Sequence, residues 1–134
     1  MSRLPAALRQ AVQRRARGLC EYCLSQVSIT GHQFTVDHIR PGSRGGADAP
    51  DNLCYCCSEC NLHKQARTEA RDPRTRRIVP LFNPRSERWD EHFRWSPTDT
   101  RIIGRTPIGR ATAEALQLNR RALVQARRIW VQYR

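Results

Sequence analysis

Two Cys-x-x-Cys pairs constrain the fold of this 134-residue chain more than any other feature of its sequence. They are Cys20-Glu-Tyr-Cys23 and Cys57-Ser-Glu-Cys60. A CxxC turn presents two thiolates at the separation that a tetrahedral Zn²⁺ requires, so two such turns supply a complete set of four ligands. A structural zinc would therefore tie together the two ends of the segment that lies between the pairs.

The two remaining cysteines, Cys54 and Cys56, lie just before the second pair. On spacing alone Cys56 competes with Cys57, although its gap to Cys60 fits a knuckle at the start of a helix less well. The alternative is that both are small buried residues of a strand. Because we find no signal peptide and no membrane-spanning segment, we expect a cytoplasmic protein whose cysteines bind metal rather than form disulfides.

The pattern between and after the two pairs predicts a strand, a loop, a strand and a helix. Residues 32–39 alternate apolar and polar side chains, as a strand does, and residues 41–52 form a loop rich in glycine and proline. Residues 53–55 form a short returning strand. A helix then runs from Cys57 to about Arg71, where Asp72-Pro73 stops it.

The charge balance of the chain favours a polyanionic partner. There are 24 Lys+Arg against 12 Asp+Glu, a net charge of +12, and Lys64 is the single lysine. Arginine presents a planar fork of donors that matches phosphate oxygens, so nucleic acid is the natural partner. The alternative that composition leaves open is a merely soluble, arginine-rich surface.

Three polar residues, two between the pairs and one directly after the second pair, suggest chemistry beyond a structural metal. Asp37 and His38 are adjacent in the predicted strand and so point to opposite faces. Asn61 follows the last cysteine at the start of the predicted helix. Asp37 and Asn61 offer oxygen ligands, which suit Mg²⁺, and a neutral His38 has the chemistry of a general base. A lone histidine on a strand is, however, more often structural than catalytic.

The whole string over residues 20–64 resembles the HNH endonuclease family: CxxC, then VDHIRP, GG, DNL, CxxCN and LHK. The resemblance implies a zinc-stabilised ββα-metal fold. It places His38 on the first family histidine, Asn52 on the middle asparagine and Asn61 on the third position, and its spacing selects Cys57 over Cys56. The third position is Asn rather than His, as in HNN-type variants, which favours Mg²⁺ or Mn²⁺ as the catalytic ion.

The resemblance also implies roles. DNA is the expected substrate, His38 is the base that deprotonates a water, and Asp37 with Asn61 holds one Mg²⁺ or Mn²⁺. Asn52 is expected to hydrogen-bond across the loop and keep His38 in orientation. A zinc module that binds nucleic acid without cutting it is the rival function, and it would need neither His38 nor Asn61.

Three cations close to these residues are candidates for contact with the nucleic acid. Arg40 and Arg44 flank the start of the glycine-rich loop. Lys64 follows Asn61 by about one helical turn. For Lys64 the sequence leaves phosphate contact and a solvated surface position equally open.

The flanking segments complete an α+β fold. Residues 1–71 form the predicted HNH core with an N-terminal helix over residues 3–17, which Ser2 would cap and whose arginines could alternatively lie on phosphates. Residues 72–134 form an extension expected to pack on the core, and they resemble the C-terminal extension of small bacterial HNH proteins. That resemblance implies no activity of its own.

The extension is predicted to contain a hairpin and two helices. Alternation over residues 88–95, a turn and a second strand over 100–104 predict the hairpin. Thr106-Pro107 begins a helix that runs to about Leu118. A last helix over 120–133 carries one apolar stripe that favours core packing, with a partner surface as the alternative: Leu123, Ala126, Trp130 and Tyr133.

Overall fold

A computed structural model describes residues 4–26 and 34–133 of the chain. It contains helices and short antiparallel hairpins, so the predicted α+β class is confirmed. Two compact units form, one of residues 1–68 with 83–86 and the other of residues 69–82 with 87–134. The predicted division into an HNH core over residues 1–71 and an extension over residues 72–134 stays a prediction. No helix of the described residues has the length and apolarity needed to cross a membrane.

The N-terminal unit contains a helix, a hairpin and a second helix. Its elements, in chain order, are α1 Ala6–Arg15, β1 Phe34–His38, β2 Leu53–Cys57 and α2 Ser58–Lys64. β1 and β2 pair antiparallel, with Asp37 opposite Cys54 and His38 opposite Leu53. The predicted strand, loop, strand and helix are thus all present. The proposed cap Ser2 and the start of the predicted strand, residues 32–33, lie outside the described residues.

One side of the hairpin packs against α1 and forms the core of this unit. Val12 of α1 and Ala16, the residue that follows the helix, are buried with Leu53 and Tyr55 of β2. The tyrosine ring also packs on Phe34, with the ring centroids 5.2 Å apart. The apolar side of α1 therefore serves the core, as predicted. Arg15 serves the fold too, since its guanidinium donates to the carbonyls of Pro50 and Leu53 at 2.9 and 2.7 Å.

The prediction that the second helix extends to Arg71 is wrong. α2 ends at Lys64, and Gln65 then adopts a φ of 55° that no helix continues. Residues with good helical propensity follow, but their backbone pairs elsewhere: β3 Glu69–Arg71 lies antiparallel to β4 Ile78–Pro80. Tertiary pairing has overridden local propensity here.

Contrary to the prediction, Asp72 does not stop a helix but organises the turn between β3 and β4. Asp72 is fully buried and accepts two hydrogen bonds from the guanidinium of Arg110, at 3.0 and 2.9 Å. It also accepts the hydroxyl of Thr75 at 2.7 Å and the amide of Arg74 at 3.1 Å. The Arg110 fork is the main reason that the pKa of Asp72 lies well below its ordinary value.

The remainder of the C-terminal unit is a hairpin covered by helices. Its elements are α3 Trp89–His92, β5 Phe93–Trp95, β6 Ile102–Gly104, α4 Pro107–Ala115 and α5 Arg121–Gln132. The predicted hairpin and both helices are present. The predicted alternation over residues 88–95 is wrong in its first half, because those residues form the short helix α3.

α4 begins as the sequence predicts and packs closely on β6. The Thr106 hydroxyl accepts the amide of Gly109 at 3.0 Å, which caps the helix. Gly109 also makes the close approach possible: a Cβ there would lie 1.9 Å from the His92 carbonyl oxygen and 3.2 Å from the Cα of Gly104.

A buried arginine replaces part of the apolar stripe expected on α5. The helix buries Leu123, Val124 and Arg127, whereas Tyr133 is 83% exposed, so its predicted place in the core is wrong. Arg127 donates to the Leu118 carbonyl at 2.8 Å and lies over the ring of Trp95, 5.2 Å from its centroid. A guanidinium can be buried because its fork satisfies carbonyls while its plane stacks on an aromatic face.

The Asp72–Arg110 pair predicts a defined pH dependence of stability. Because the pKa of Asp72 is depressed in the folded state, its contribution is fully present above the unfolded pKa of about 3.9 and is lost progressively as the pH falls from there through the lower folded pKa. Asp72→Asn should therefore lower the melting temperature most at pH 7 and progressively less at each more acidic pH at which the protein still folds. Thermal unfolding followed by circular dichroism measures the melting temperature at each pH.

The matched control is Asp90→Asn, which removes a carboxylate from an exposed pair with Arg88 in the same unit. Exposed pairs contribute about 0–1 kcal/mol, so its melting temperature should stay close to the parent value at every pH. Equal effects of the two substitutions would contradict the special role of Asp72.

Candidate active site

Four cysteine sulfurs gather at one point of the N-terminal unit. The Sγ atoms of Cys20, Cys23, Cys57 and Cys60 all lie within 4.8 Å of one another, and all four residues are buried. No other group of three or more His, Cys, Asp or Glu side chains suited to a metal was found in residues 4–26 and 34–133. The donor set fits a structural metal such as zinc, because four thiolates fill a tetrahedral shell and leave no open position.

The backbone prepares this cluster for a cation. The amide of Cys23 donates to Cys20 Sγ at 3.5 Å, and the amide of Cys60 donates to Cys57 Sγ at 3.4 Å, the second bond capping α2. A hydrogen bond from the Cys20 thiol is the main cause that lowers the pKa of Cys23 to about 7. The same thiol is the first cause that holds the pKa of Cys57 below its ordinary value, whereas burial raises that of Cys20. Within the cluster the pKa is thus lowered for Cys23 and Cys57 and raised for Cys20 and Cys60.

The two extra cysteines lie outside the cluster. Cys54 and Cys56 are fully buried in β2, and Cys54 donates its thiol to the hydroxyl of Tyr22 at 3.6 Å. The cluster contains Cys57 and not Cys56, as the family spacing implies. Burial on the strand is the alternative that the sequence left open for both residues, and it is the one observed.

The hairpin places His38 at the end of β1, beside the loop that the strand leads into. Nε2 of His38 lies 2.6 Å from Oδ1 of Asp48, a loop residue. A carboxylate accepts hydrogen bonds only, so Nε2 is the donor in this contact, and Nδ1 is the nitrogen that would carry the lone pair in the neutral ring. The imidazole side chain is 25% exposed, which leaves the ring accessible to water. Asp48 was missed by the sequence reasoning because nothing in its local pattern indicates a partner ten residues away.

Asn52 fixes the loop that carries Asp48. Its side-chain nitrogen donates to the carbonyls of Arg40 and Ala47 at 3.0 and 2.9 Å, and its oxygen accepts the amide of Arg40 at 2.9 Å. All three bonds go to backbone on either side of the loop, so Asn52 ties the two sides of the loop together. Gly46 is required here, since a Cβ would lie 1.7 Å from the Arg40 carbonyl oxygen.

Lys64 occupies neither of the two positions that the sequence left open, contact with phosphate or a solvated surface. It is 2% exposed, and its ammonium lies 3.2 Å from Oδ2 of Asp37 and 3.2 Å from the carbonyl oxygen of His38. The solvated surface lysine is therefore wrong, and the ammonium is committed to protein oxygens rather than presented to phosphate. Its position fixes the end of β1 against α2.

The remaining predicted residues lie around this centre. Asn61 is half-buried in the first part of α2, directly after the last clustered cysteine. Arg40 and Arg44 are exposed, as nucleic-acid contacts must be. They also brace the loop, because Arg40 Nε donates to the Arg44 carbonyl at 2.8 Å and Arg44 reaches the hydroxyl of Thr68 at 3.4 Å.

The chemistry of the donors decides whether a catalytic cation suits this site. Asp37 supplies a carboxylate that is 20% exposed, and Asn61 supplies an amide oxygen. Mg²⁺ and Mn²⁺ accept such oxygens and keep several of their own waters, so few protein ligands are needed. The Lys64 ammonium lies on Oδ2 of Asp37 and repels a cation there, so the other carboxylate oxygen is the more suitable donor. The donor types of the two residues fit such an ion.

Comparison with known proteins agrees with the geometry. Residues 20–67 match the family model described as HNH endonuclease. This segment is an HNH domain. The match begins at the first clustered cysteine and extends just past α2, so it contains the thiol cluster, the hairpin and His38. Neither the curated proteins nor the solved structures gave a significant match to the chain.

The thiol cluster predicts which cysteine is indispensable. Cys57→Ser removes a thiolate ligand but keeps a hydroxyl that can still cap α2, so we expect loss of bound metal and unfolding of the N-terminal unit through the missing ligand. Structural zinc contributes on the order of 10–16 kcal/mol in small domains, far more than a domain of this size can spare. Metal content by mass spectrometry and thermal unfolding measure the two effects.

Cys56→Ala is the control, because Cys56 is buried on the neighbouring position of β2 but lies outside the cluster. It should keep one metal ion per chain. A Cys57→Ser protein that retains full metal and a native melting curve would contradict the assignment.

Proposed function

We propose that the HNH domain hydrolyses phosphodiester bonds in DNA, with His38 as the general base. HNH domains are metal-dependent nucleases, so hydrolysis of nucleic acid follows from the family match at the level of class. The observation that carries the finer proposal is the His38–Asp48 contact of 2.6 Å, inside the matched segment and at an accessible ring. DNA in the cytoplasm is the proposed setting, as charge and reduced cysteines suggest.

In this mechanism the imidazole is held with its proton on Nε2, so Nδ1 is the atom that takes a proton from water. The water oxygen forms a new bond to phosphorus while the bond to the 3′ oxygen breaks, and the leaving oxygen takes a proton from solvent. Asp48 stabilises the imidazolium that forms, because its carboxylate lies on the opposite ring nitrogen.

Asp37 and Asn61 are the residues proposed to hold one Mg²⁺ or Mn²⁺. When bound, such a cation would stabilise the charge that develops on the phosphoryl oxygens and the leaving group. Lys64 holds Asp37 in place through its contact at 3.2 Å. Asn52 positions the loop and Asp48, and Arg40 and Arg44 are proposed to contact neighbouring phosphates.

The four-cysteine metal has a different proposed role. We assign it as Zn²⁺, because four soft thiolate donors select zinc over the hard oxygen-seeking cations. Its role is to hold the start of α2, and hence Asn61, against the hairpin that carries Asp37 and His38. It takes no part in the chemistry because its shell is full.

Plasmid cleavage by the purified chain tests the proposal. The wild type should nick or linearise DNA with Mg²⁺ or Mn²⁺ and stop in EDTA, and His38→Ala should lower the rate by about 10²–10⁴-fold. His63→Ala is the control, since it removes a histidine of α2 with no place in the mechanism. A His38→Ala protein that cuts at the wild-type rate would remove the general base. A folded, metal-loaded protein that binds DNA without cutting it would favour the binding module instead.

Asp48 gives a second, more selective test. Asp48→Ala should lower kcat by about tenfold or more and leave KM nearly unchanged, because the ring loses its orientation while the substrate surface stays intact. Asp48→Asn keeps an acceptor oxygen for the ring but loses the charge that stabilises the imidazolium, so it should recover only part of the rate. Asp51→Ala removes the same charge from an exposed position of the same loop and is the matched control. Equal losses in the two alanine variants would show a general charge effect and refute the positioning role.

A further inference from the structure

A cleft of about 320 Å³ in the C-terminal unit has a lining that the proposed active site does not use. One wall is a stripe of α5 at helical spacing i, i+3, i+4 and i+7, and the other comes from Arg101, just before β6, and from Asn119 in the connection after α4. The lining consists of three arginines, two amides and one valine: Arg101, Asn119, Arg121, Val124, Gln125 and Arg128.

All the charged side chains that line this cleft are positive. Among the described residues no carboxylate lines it. The sequence explains this, because Glu114 is the last acidic residue and five arginines follow it. Three guanidiniums around one small volume repel each other, and an anion that binds between them relieves that repulsion.

The three guanidiniums are available for a ligand. Arg101, Arg121 and Arg128 are exposed, and within the part of the chain that the structure describes no hydrogen bond or ion pair engages their side chains. Neighbouring arginines behave differently: Arg110 binds Asp72, and Arg127 binds backbone carbonyls. The unit thus uses some arginines for its fold and leaves those of the cleft unused.

The base of the cleft is fixed before any ligand arrives. Asn119 accepts the amide of Ile102 at 2.7 Å and donates to its carbonyl at 2.8 Å, which ties the connection after α4 to β6 next to Arg101. Arg127 reaches the Asn119 oxygen at 3.2 Å and the Thr100 carbonyl at 3.2 Å. A preorganised site loses less conformational entropy on binding.

The lining also indicates the class of ligand. Guanidinium forks match phosphate oxygens, whereas the single apolar residue, Val124, is 4% exposed and no aromatic ring lines the cleft. A base or an apolar group would find nothing to stack on. We infer that the cleft binds the phosphodiester backbone of a nucleic acid, without reading its bases. The inference rests on the proposed function for the kind of macromolecule, and it adds a second binding site outside the HNH domain.

Binding measurements with a matched charge control test this inference. Arg121→Gln/Arg128→Gln removes two cations from the cleft, and Arg74→Gln/Arg77→Gln removes two exposed cations from the β3–β4 turn of the same unit. Both doubles carry His38→Ala, so that bound substrate is not cut. Fluorescence anisotropy gives Kd for a short DNA duplex and for an RNA duplex of the same sequence. Circular dichroism confirms that both variants are folded.

We expect the cleft double variant to raise Kd about tenfold or more and the turn double variant to raise it about threefold or less. The slope of log Kd against log salt concentration should be shallower for the cleft variant by the equivalent of about two phosphate contacts. A loss confined to one duplex identifies the nucleic acid that the cleft prefers. Equal losses in both doubles, or a parent that binds neither duplex, would overturn the inference. Cleavage by the wild type is scored separately, so a failed cleft and a failed nuclease give different results.

Discussion

The gathering of four thiols is the interaction on which the rest of the N-terminal unit depends. Among the described residues, α1 is joined to the hairpin by a small apolar cluster and by the hydrogen bond from Arg15 to the Leu53 carbonyl. β2 ends at Cys57, the residue whose sulfur caps α2. A cation at that point joins the chain on both sides of the hairpin, so the positions of Asp37, His38 and Asn61 follow from one centre. A unit of this size has little other means of fixing these three candidate side chains.

The parts of the fold that local pattern decides were predictable from the sequence. Alternation and turn residues indicated both strands of the HNH hairpin, and Thr106-Pro107 indicated the start of α4. The length of α2 was not predictable in this way, since Gln65 leaves the helix although good helix formers follow. The burial of Arg127 was missed for a related reason, because a helical pattern cannot tell that carbonyls and an aromatic ring will receive a cation.

The residues of the candidate site also fall into two groups, those that a sequence pattern indicates and those that it does not. Residues with a recognisable order, such as the clustered cysteines, Asn52 and His38, were found from the sequence alone. Asp48 and the buried position of Lys64 were not, because each is defined by a partner far away in the chain: Asp48 lies on His38, and Lys64 lies on Asp37. Such pairs depend on how the loop and α2 fold back onto β1, which no periodicity encodes.

The burial of Lys64 has a consequence for chemical labelling. It is the single lysine of the chain, and its amine lies against the end of the strand that carries Asp37 and His38. An acylating reagent therefore meets one side-chain amine, and it can react there only when α2 separates from β1. The rate of lysine modification would thus report the opening of this one contact. Intact-mass spectrometry would follow the rate, and peptide mapping would confirm that the modified amine is that of Lys64, without any engineered probe.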